Sequence, residues 1–147
     1  MAEKLSLNIQ DENGLEIASN ILHDAVFREQ DLQFDPEAKK FTLSLWREVT
    51  EVKRTTRVWL VFKKTKYLRA ACTLTIFDVK SADIRVRDKL RYYSVFKMTY
   101  NTDGQLIHFE TEGTIGITLH VEKLAGRMAD TGEITWEQFG FSTITGF

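Results

Sequence analysis

The sequence has only one cysteine, Cys72, so no disulfide can form within the chain. A cysteine-based zinc or iron–sulfur site would have to be shared between subunits. It has one proline, Pro36, and no Gly/Ser-rich linker, low-complexity block or internal repeat, which argues against a second domain. Nowhere do about 18 apolar residues run together, and the opening residues lack a basic stretch followed by an apolar one. The expectation is a protein of the reducing cytoplasm, with no membrane span and no secretion signal. Catalytic signatures are missing too. There is no nucleophile elbow, no His-x-His or His-Glu-x-x-His spacing, and no Walker or Rossmann glycine pattern. Gly113-Thr114-Ile115-Gly116 lacks both the lysine and the following helix. No cofactor is implied.

The chain has 147 residues, 43% of them hydrophobic and 28% charged. That length and composition suit a single domain over 1–147 that buries about two-thirds of its unfolded surface. Leu5, Leu7 and Ile9 alternate as a first strand. Asn13 followed by Glu16 has capping-box spacing, with Asp11 as the other candidate cap. From Leu15 the period becomes helical: Leu15, Ile17, Ala18, Ile21, Leu22, Ala25 and Val26 share half of a wheel that ends near Phe27, with Glu16, Ser19, Asn20 and His23 on the polar arc.

Beyond Asp31 the pattern is that of strands. Leu32 and Phe34 alternate into a turn at Asp35-Pro36-Glu37, and Phe41, Leu43 and Leu45 alternate until Trp46 breaks the parity, which suggests a bulge there. Val58 to Phe62 is a short continuous apolar run, as expected of a strand covered on both faces. Leu68, Ala70, Cys72, Leu74 and Ile76 alternate, then Ile84 and Val86. Asn101 to Gly104 fits a type I turn, and pairing Asn101 with Gly104 would set Met98 opposite Ile107 and Phe96 opposite Phe109. Ile115, Ile117, Leu119 and Val121 form a further strand. The predicted fold class is α+β: one N-terminal amphipathic helix packed on a mainly antiparallel sheet of seven to nine strands, with barrel closure as one way to hide its edges. The uncharged, aromatic tail 137–147 is expected to add a strand to its own sheet or to contact a partner subunit, giving a homo-oligomer.

Charge is unevenly distributed. Residues 53–97 hold thirteen basic residues against three acidic ones (+10), and the rest of the chain holds seven against eighteen (−11). Within that segment Arg85, Arg87, Lys89 and Arg91 recur at every second position. On one unbroken strand they would share a face, with Tyr92 or Tyr93 adding an aromatic contact. Such a ladder suits an anionic ligand, a nucleic acid or a protein partner, because Arg and Lys neutralise phosphates without reading bases. The bland alternative is a solvated face paired with carboxylates on neighbouring strands. A second constellation is a metal site: a three-residue loop at Gly113 would place His108 opposite His120, with Glu110 and Glu122 on the same face. His23 reads as a solvated helix residue, Cys72 as a small buried hydrophobe, and Trp46, Trp59 and Trp136 as core. The leading reading is a non-enzymatic binding domain. Its alternatives are a small metal-binding protein or metal-dependent enzyme, and a structural or immunity-type interaction protein.

Five segments in order, Asp11-Glu12-Asn13-Gly14-Leu15, His23-Asp24-Ala25-Val26, Phe41-Thr42-Leu43-Ser44-Leu45, Arg85-Val86-Arg87-Asp88-Lys89-Leu90-Arg91-Tyr92 and Ile115-Gly116-Ile117-Thr118-Leu119-His120-Val121-Glu122, carry a resemblance. Together they resemble a family of small bacterial proteins of unknown function, frequent in alphaproteobacteria, over about residues 5–136. That family usually has Gln at the position of His23 and an aromatic residue before a Trp-Glu pair, where this chain has Trp46-Arg47-Glu48. The resemblance implies no activity, cofactor or partner.

Overall fold

The leading alternation becomes β1 (Ser6–Ile9), and α1 (Glu12–Ile21) follows at once. Asp11 is the cap: its Oδ1 accepts the Gly14 N–H at 2.8 Å, and Asn13 lies inside the helix. The buried stripe is Leu15, Ala18, Ser19 and Leu22, a spacing of i, i+3, i+4, i+7. Ser19 is therefore not on the solvent arc. Its hydroxyl accepts the Met98 N–H at 2.8 Å, tying the helix to a strand. Nor does the helix reach Phe27. Asp24 adopts a left-handed φ of 67°, which Asp tolerates better than most residues, and Val26–Phe27 is a two-residue strand, β2. Ile17 lies at the margin of the apolar arc, far from the Leu15–Leu22 stripe, and is exposed.

In this computed structural model, which describes residues 5–58 and 62–136 and the side chains of 5–48 and 69–132, the remaining strands are β3 (Leu32–Asp35), β4 (Lys40–Val58), β5 (Phe62–Ile76), β6 (Val79–Val86), β7 (Tyr93–Ser94), β8 (Lys97–Asn101), β9 (Leu106–Glu110), β10 (Ile115–Val121) and β11 (Gly126–Trp136). They do not make one sheet or a barrel. A seven-stranded antiparallel sheet runs β1-β11-β5-β4-β2-β7, with β3 also on β4, and a separate four-stranded one runs β6-β10-β9-β8. The chain passes from the larger to the smaller sheet at a corner where Asp78 is left-handed (φ 56°) and its carbonyl accepts Glu122 N–H at 2.8 Å. Trp59, within the predicted two-faced strand, and the tail 137–147 lie outside the described residues, and Trp136 has no described side chain.

The two sheets and the helix share one core. Phe41, Leu43, Leu45, Cys72, Leu74, Ile76 and Met128 come from the larger sheet, and Ile107, Phe109, Ile115, Ile117, Leu119 and Val121 from the smaller. The rings of Phe41 and Phe109 meet across them at 5.7 Å. Both predicted hairpins form, each with a longer loop. Thr102–Gln105 connects β8 to β9 because Gln105 takes a left-handed φ of 53°, so Asn101 pairs with Leu106 and Met98 with Phe109. The shift is two residues, so the faces are preserved. Phe96 falls outside the pairing and is exposed. Among the described residues no helix is long and apolar enough to cross a membrane.

No bulge occurs at Trp46, which pairs regularly with Ala71 and Val26; the irregularity comes between Glu48 and Lys53. The parity is not broken at all, because the inward series Phe41, Leu43, Leu45 continues to Arg47. Arg47 is buried, as is the Asp130 it meets, their side chains 2% and 5% exposed. Arg47 Nε donates to Asp130 Oδ1 and Nη2 to Oδ2, both at 2.8 Å, a two-pronged pairing. β5 lies between the two strands, so their axes are about 9.5 Å apart, a span that favours the longest cation. Asp130 Oδ2 also accepts the Leu5 N–H at 2.8 Å, which ties in the lead to β1.

Burial pushes the Asp130 carboxyl up, but the Arg47 hydrogen bond, the Leu5 N–H and the Arg47 charge outweigh it and hold the group below its ordinary value. A depressed folded pKa gives stability that is complete above the unfolded value, about 3.9, and is lost as pH falls through the folded one. Asp130→Asn should therefore be less stable at neutral pH and lose less further stability than the parent between about pH 4 and pH 2. Urea midpoints across that window check this; parallel acid limbs would contradict it.

Candidate functional site

The basic ladder is only partly a strand. Arg85 is in β6, which ends at Val86. The N–H groups of Arg87 and Asp88 both donate to Thr114 O, at 2.8 and 3.1 Å, and there the ladder stops. Residues 87–92 then form a loop, because the chain must leave the edge of the small sheet and reach β7, which pairs with β2 in the large one. Alternation in sequence continues through this loop although the strand does not. The expectation of four heads on one regular face is corrected to one strand residue, Arg85, followed by a basic loop carrying Arg87, Lys89 and Arg91.

Tyr93 organises that loop from inside. It is buried, its hydroxyl accepts the Leu90 N–H at 3.0 Å and donates to Asp88 O at 3.2 Å. It is thus unavailable as a surface contact. Tyr92 is half-buried, with the Arg91 guanidinium 5.7 Å from its ring centroid, a cation–π geometry. Arg85, Arg87, Lys89 and Arg91 are all exposed. Arg85 Nε lies 3.1 Å from Asp83 Oδ2 on its own strand. Its cross-strand partner is Gly116, where an added Cβ would meet nothing within 4 Å. Among the described residues Arg87, Lys89 and Arg91 form no ion pair and Arg85 pairs only with Asp83 on its own strand, so no neighbouring strand supplies the expected neutralising carboxylate.

The histidine pair is not assembled. The loop at Gly113 runs over Thr111–Thr114, closed by Thr111 Oγ1 donating to Ile115 O at 2.6 Å. The register then sets His108 opposite Thr118 and His120 opposite Leu106. His108 Nδ1 is 3.1 Å from Thr118 Oγ1. Each carboxylate faces a lysine instead: Glu110 is 3.5 Å from Lys97 and Glu122 is 3.3 Å from Lys39. Among the described residues no three His, Cys, Asp or Glu side chains come together as a metal site. His23 is exposed, its Nδ1 2.9 Å from Phe96 O.

Two features were not found by reading the sequence. One is the Arg47–Asp130 pair. The other is a shallow groove of about 280 Å³ on the outer side of the large sheet, lined by Arg28, Asp31, Ser44, Trp46, Thr73 and Thr131 among others. Arg28 and Asp31 on its lining pair with each other at 3.1 Å, and the hydrogen bond and charge of Asp31 hold the guanidinium pKa above its ordinary value. The Arg-x-x-Asp spacing beside a strand was the available signal. Trp46 is half-buried beside this groove and not in the core.

One helix and two antiparallel sheets sharing a core, with a basic loop joining the sheets, define a small α+β domain. The chain belongs to the family described as protein of unknown function, DUF2948, which matches residues 5–139. Comparison with curated proteins and with solved structures gives no match.

Cys72 lies in the core, and burial first, then the nearby Asp130 carboxylate, pushes its thiol up to about 12. At pH 8 only about one thiol in ten thousand would be ionised. A disulfide reagent should leave the native protein unmodified at that pH and titrate one thiol in denaturant. Rapid native labelling would contradict the placement.

Proposed function

We propose that this protein is a non-enzymatic binding domain that takes an anionic ligand or partner at the end of β6 and the loop after it. Arg85, Arg87, Lys89 and Arg91 supply the charge, and Tyr92 offers a flat aromatic edge. The observation that carries the reading is the exposure of all four cations, Arg85 opposite Gly116 and the others in the loop after β6, with Asp83 and Asp88 the only acidic residues in the segment from Asp83 to Tyr92. Tyr93 holds the loop backbone from beneath, so part of the ordering cost of binding is already met by the fold. The cations do not sit at one regular strand spacing, which suits phosphate or sulfate groups on a flexible polymer better than a rigid lattice of charge. The metal-dependent alternative on His108, His120, Glu110 and Glu122 has no clustered ligands to support it.

Binding of this kind weakens as salt rises, with a slope of roughly 0.7–0.9 per phosphate neutralised. Purified protein titrated with heparin, single-stranded DNA and RNA over a salt series should bind with a slope of about 2 to 4. Arg87→Glu/Lys89→Glu should reduce affinity at low salt by at least about tenfold and lower the slope by about 2. Absence of binding at low salt, or binding unchanged in the variant, would remove the basic loop as a site and turn attention to a protein partner, as in an immunity-type role.

A further inference from the structure

β6 is the last strand of the small sheet. Past Val79, whose N–H donates to Lys39 O at 2.9 Å, no described strand pairs with its outer edge. Which backbone groups that edge presents follows from the hydrogen bonds. Val121 N donates to Gln105 O at 2.9 Å and Arg87 N to Thr114 O at 2.8 Å. On β10, then, odd-numbered residues bond to β9 and even-numbered ones to β6. In the register Arg85↔Gly116 and Asp83↔Thr118, Asp83 and Arg85 bond inward to β10. Ala82, Ile84 and Val86 point their N–H and C=O groups outward. Unpaired groups of this kind are a template for another strand.

The side chains of this edge are arranged unusually. Ile84 and Val86 are 38% and 37% exposed, Leu90 beyond them 46%, and all of Asp83–Val86 is exposed. Ile84 and Val86 lie on the core side, opposite buried Ile117 and Ile115; Asp83 and Arg85 lie on the outer side. An edge strand carrying charge usually repels its neighbours. This one is complementary to itself.

We propose that the outer edge of β6 is an interface through which two copies of this chain pair, antiparallel about a two-fold axis at Ile84. In that register Ile84 opposes the partner's Ile84, and Ala82 and Val86 oppose the partner's Val86 and Ala82. All three positions carry the outward N–H and C=O groups, so every one finds a bond. Asp83 then opposes the partner's Arg85, and Arg85 the partner's Asp83. These fall at the non-hydrogen-bonded positions, where opposed side chains come closest. The register is specified by charge. Moving the axis one residue either way sets Arg85 against the partner's Arg85, or Asp83 against the partner's Asp83. The pairing covers the exposed Ile84 and Val86 and joins the two small sheets into one of eight strands. It leaves Arg87, Lys89 and Arg91 outside, the two Arg87 positions about 20 Å apart along the paired strands. The inference does not rest on the anion-binding reading.

A single-strand contact of this size is reversible, so the full-length chain should show a monomer–dimer equilibrium in analytical ultracentrifugation at tens to hundreds of micromolar, on the order of what small interfaces give. Asp83→Arg should weaken the dimer at least about tenfold, because it turns both cross-strand pairs repulsive. Asp83→Arg/Arg85→Asp should restore it, the charges being exchanged and still complementary. Independently, Ile84→Cys should form an intermolecular disulfide on mild oxidation, its two Cα atoms lying about 5.5 Å apart, whereas Arg87→Cys should not. A chain monomeric throughout this range, a dimer indifferent to Asp83→Arg, a double variant that fails to recover, or Arg87→Cys cross-linking as readily as Ile84→Cys would each overturn the proposal.

Discussion

The rest of this structure depends on the ion pair between Arg47 and Asp130. It sits on the inner face of the large sheet where the apolar rows Phe41, Leu43, Leu45 and Cys72, Leu74, Ile76 run out. Its two hydrogen bonds bridge β4 to β11 over the intervening β5, and the Leu5 N–H adds the lead to β1. Desolvating two charges costs several kcal/mol each, and only good geometry with further hydrogen bonds offsets it. Both conditions are met here: two bonds of 2.8 Å, and a third donor on Asp130 from the backbone. Arg47 holds Asp130 ionised, and the Asp130 charge, partly offset by Arg47, helps burial keep the Cys72 thiol protonated. Its effect on register is direct, since a slip of one residue in β4 or β11 would turn Arg47 or Asp130 outward and leave the other charge buried alone.

With the inner faces settled, alternation decides what the outer faces carry. The chain's strong positive segment is thereby divided. Arg69 is buried, its guanidinium donating to the carbonyls of Asp24 and Trp46, and this joins β5 to the helix end and to β4. It therefore adds no charge to the surface. Lys97 faces Glu110. Among the described residues, Arg87, Lys89 and Arg91, in the loop that joins the sheets, form no ion pair, and Arg85 at the end of β6 meets only Asp83 of its own strand. An edge that carries complementary charges and a loop that carries surplus ones then follow from the same topological fact, that β6 is terminal and the chain must cross from it to β7.

Much of this was legible in the residues. Half-buried antiparallel strands write period-2 patterns, so the inward rows at Leu5–Ile9, Phe41–Leu45, Cys72–Ile76 and Ile115–Val121 could be read directly. The start of the helix was readable from Asp11 and the apolar stripe after it. What failed did so for particular physical reasons. The strand reads as broken at Trp46 because the inward row continues through a charged residue, Arg47, whose partner lies 83 residues away. The loops at Thr102–Gln105 and Thr111–Thr114 were each one or two residues longer than expected, since turn length hinged on left-handed residues such as Gln105 that sequence does not advertise. The division into two sheets was invisible because each strand's pattern shows which face is buried and not which sheet it joins. Of the candidate site, the residues were found but not their geometry: alternation runs on from Arg85 through Arg91 while the strand ends at Val86.

The central claim is that Arg47 and Asp130 act as one unit, each tolerable in the core only because of the other. A double-mutant cycle by urea unfolding at neutral pH, using Arg47→Met, Asp130→Asn and the two together, measures that directly. Each single change should cost about 3–5 kcal/mol, and the double variant far less than their sum, with a coupling of roughly 2 kcal/mol or more. Additive losses, within about 0.5 kcal/mol, would mean that the two side chains are stabilised separately and that the pair is not what holds β4 to β11.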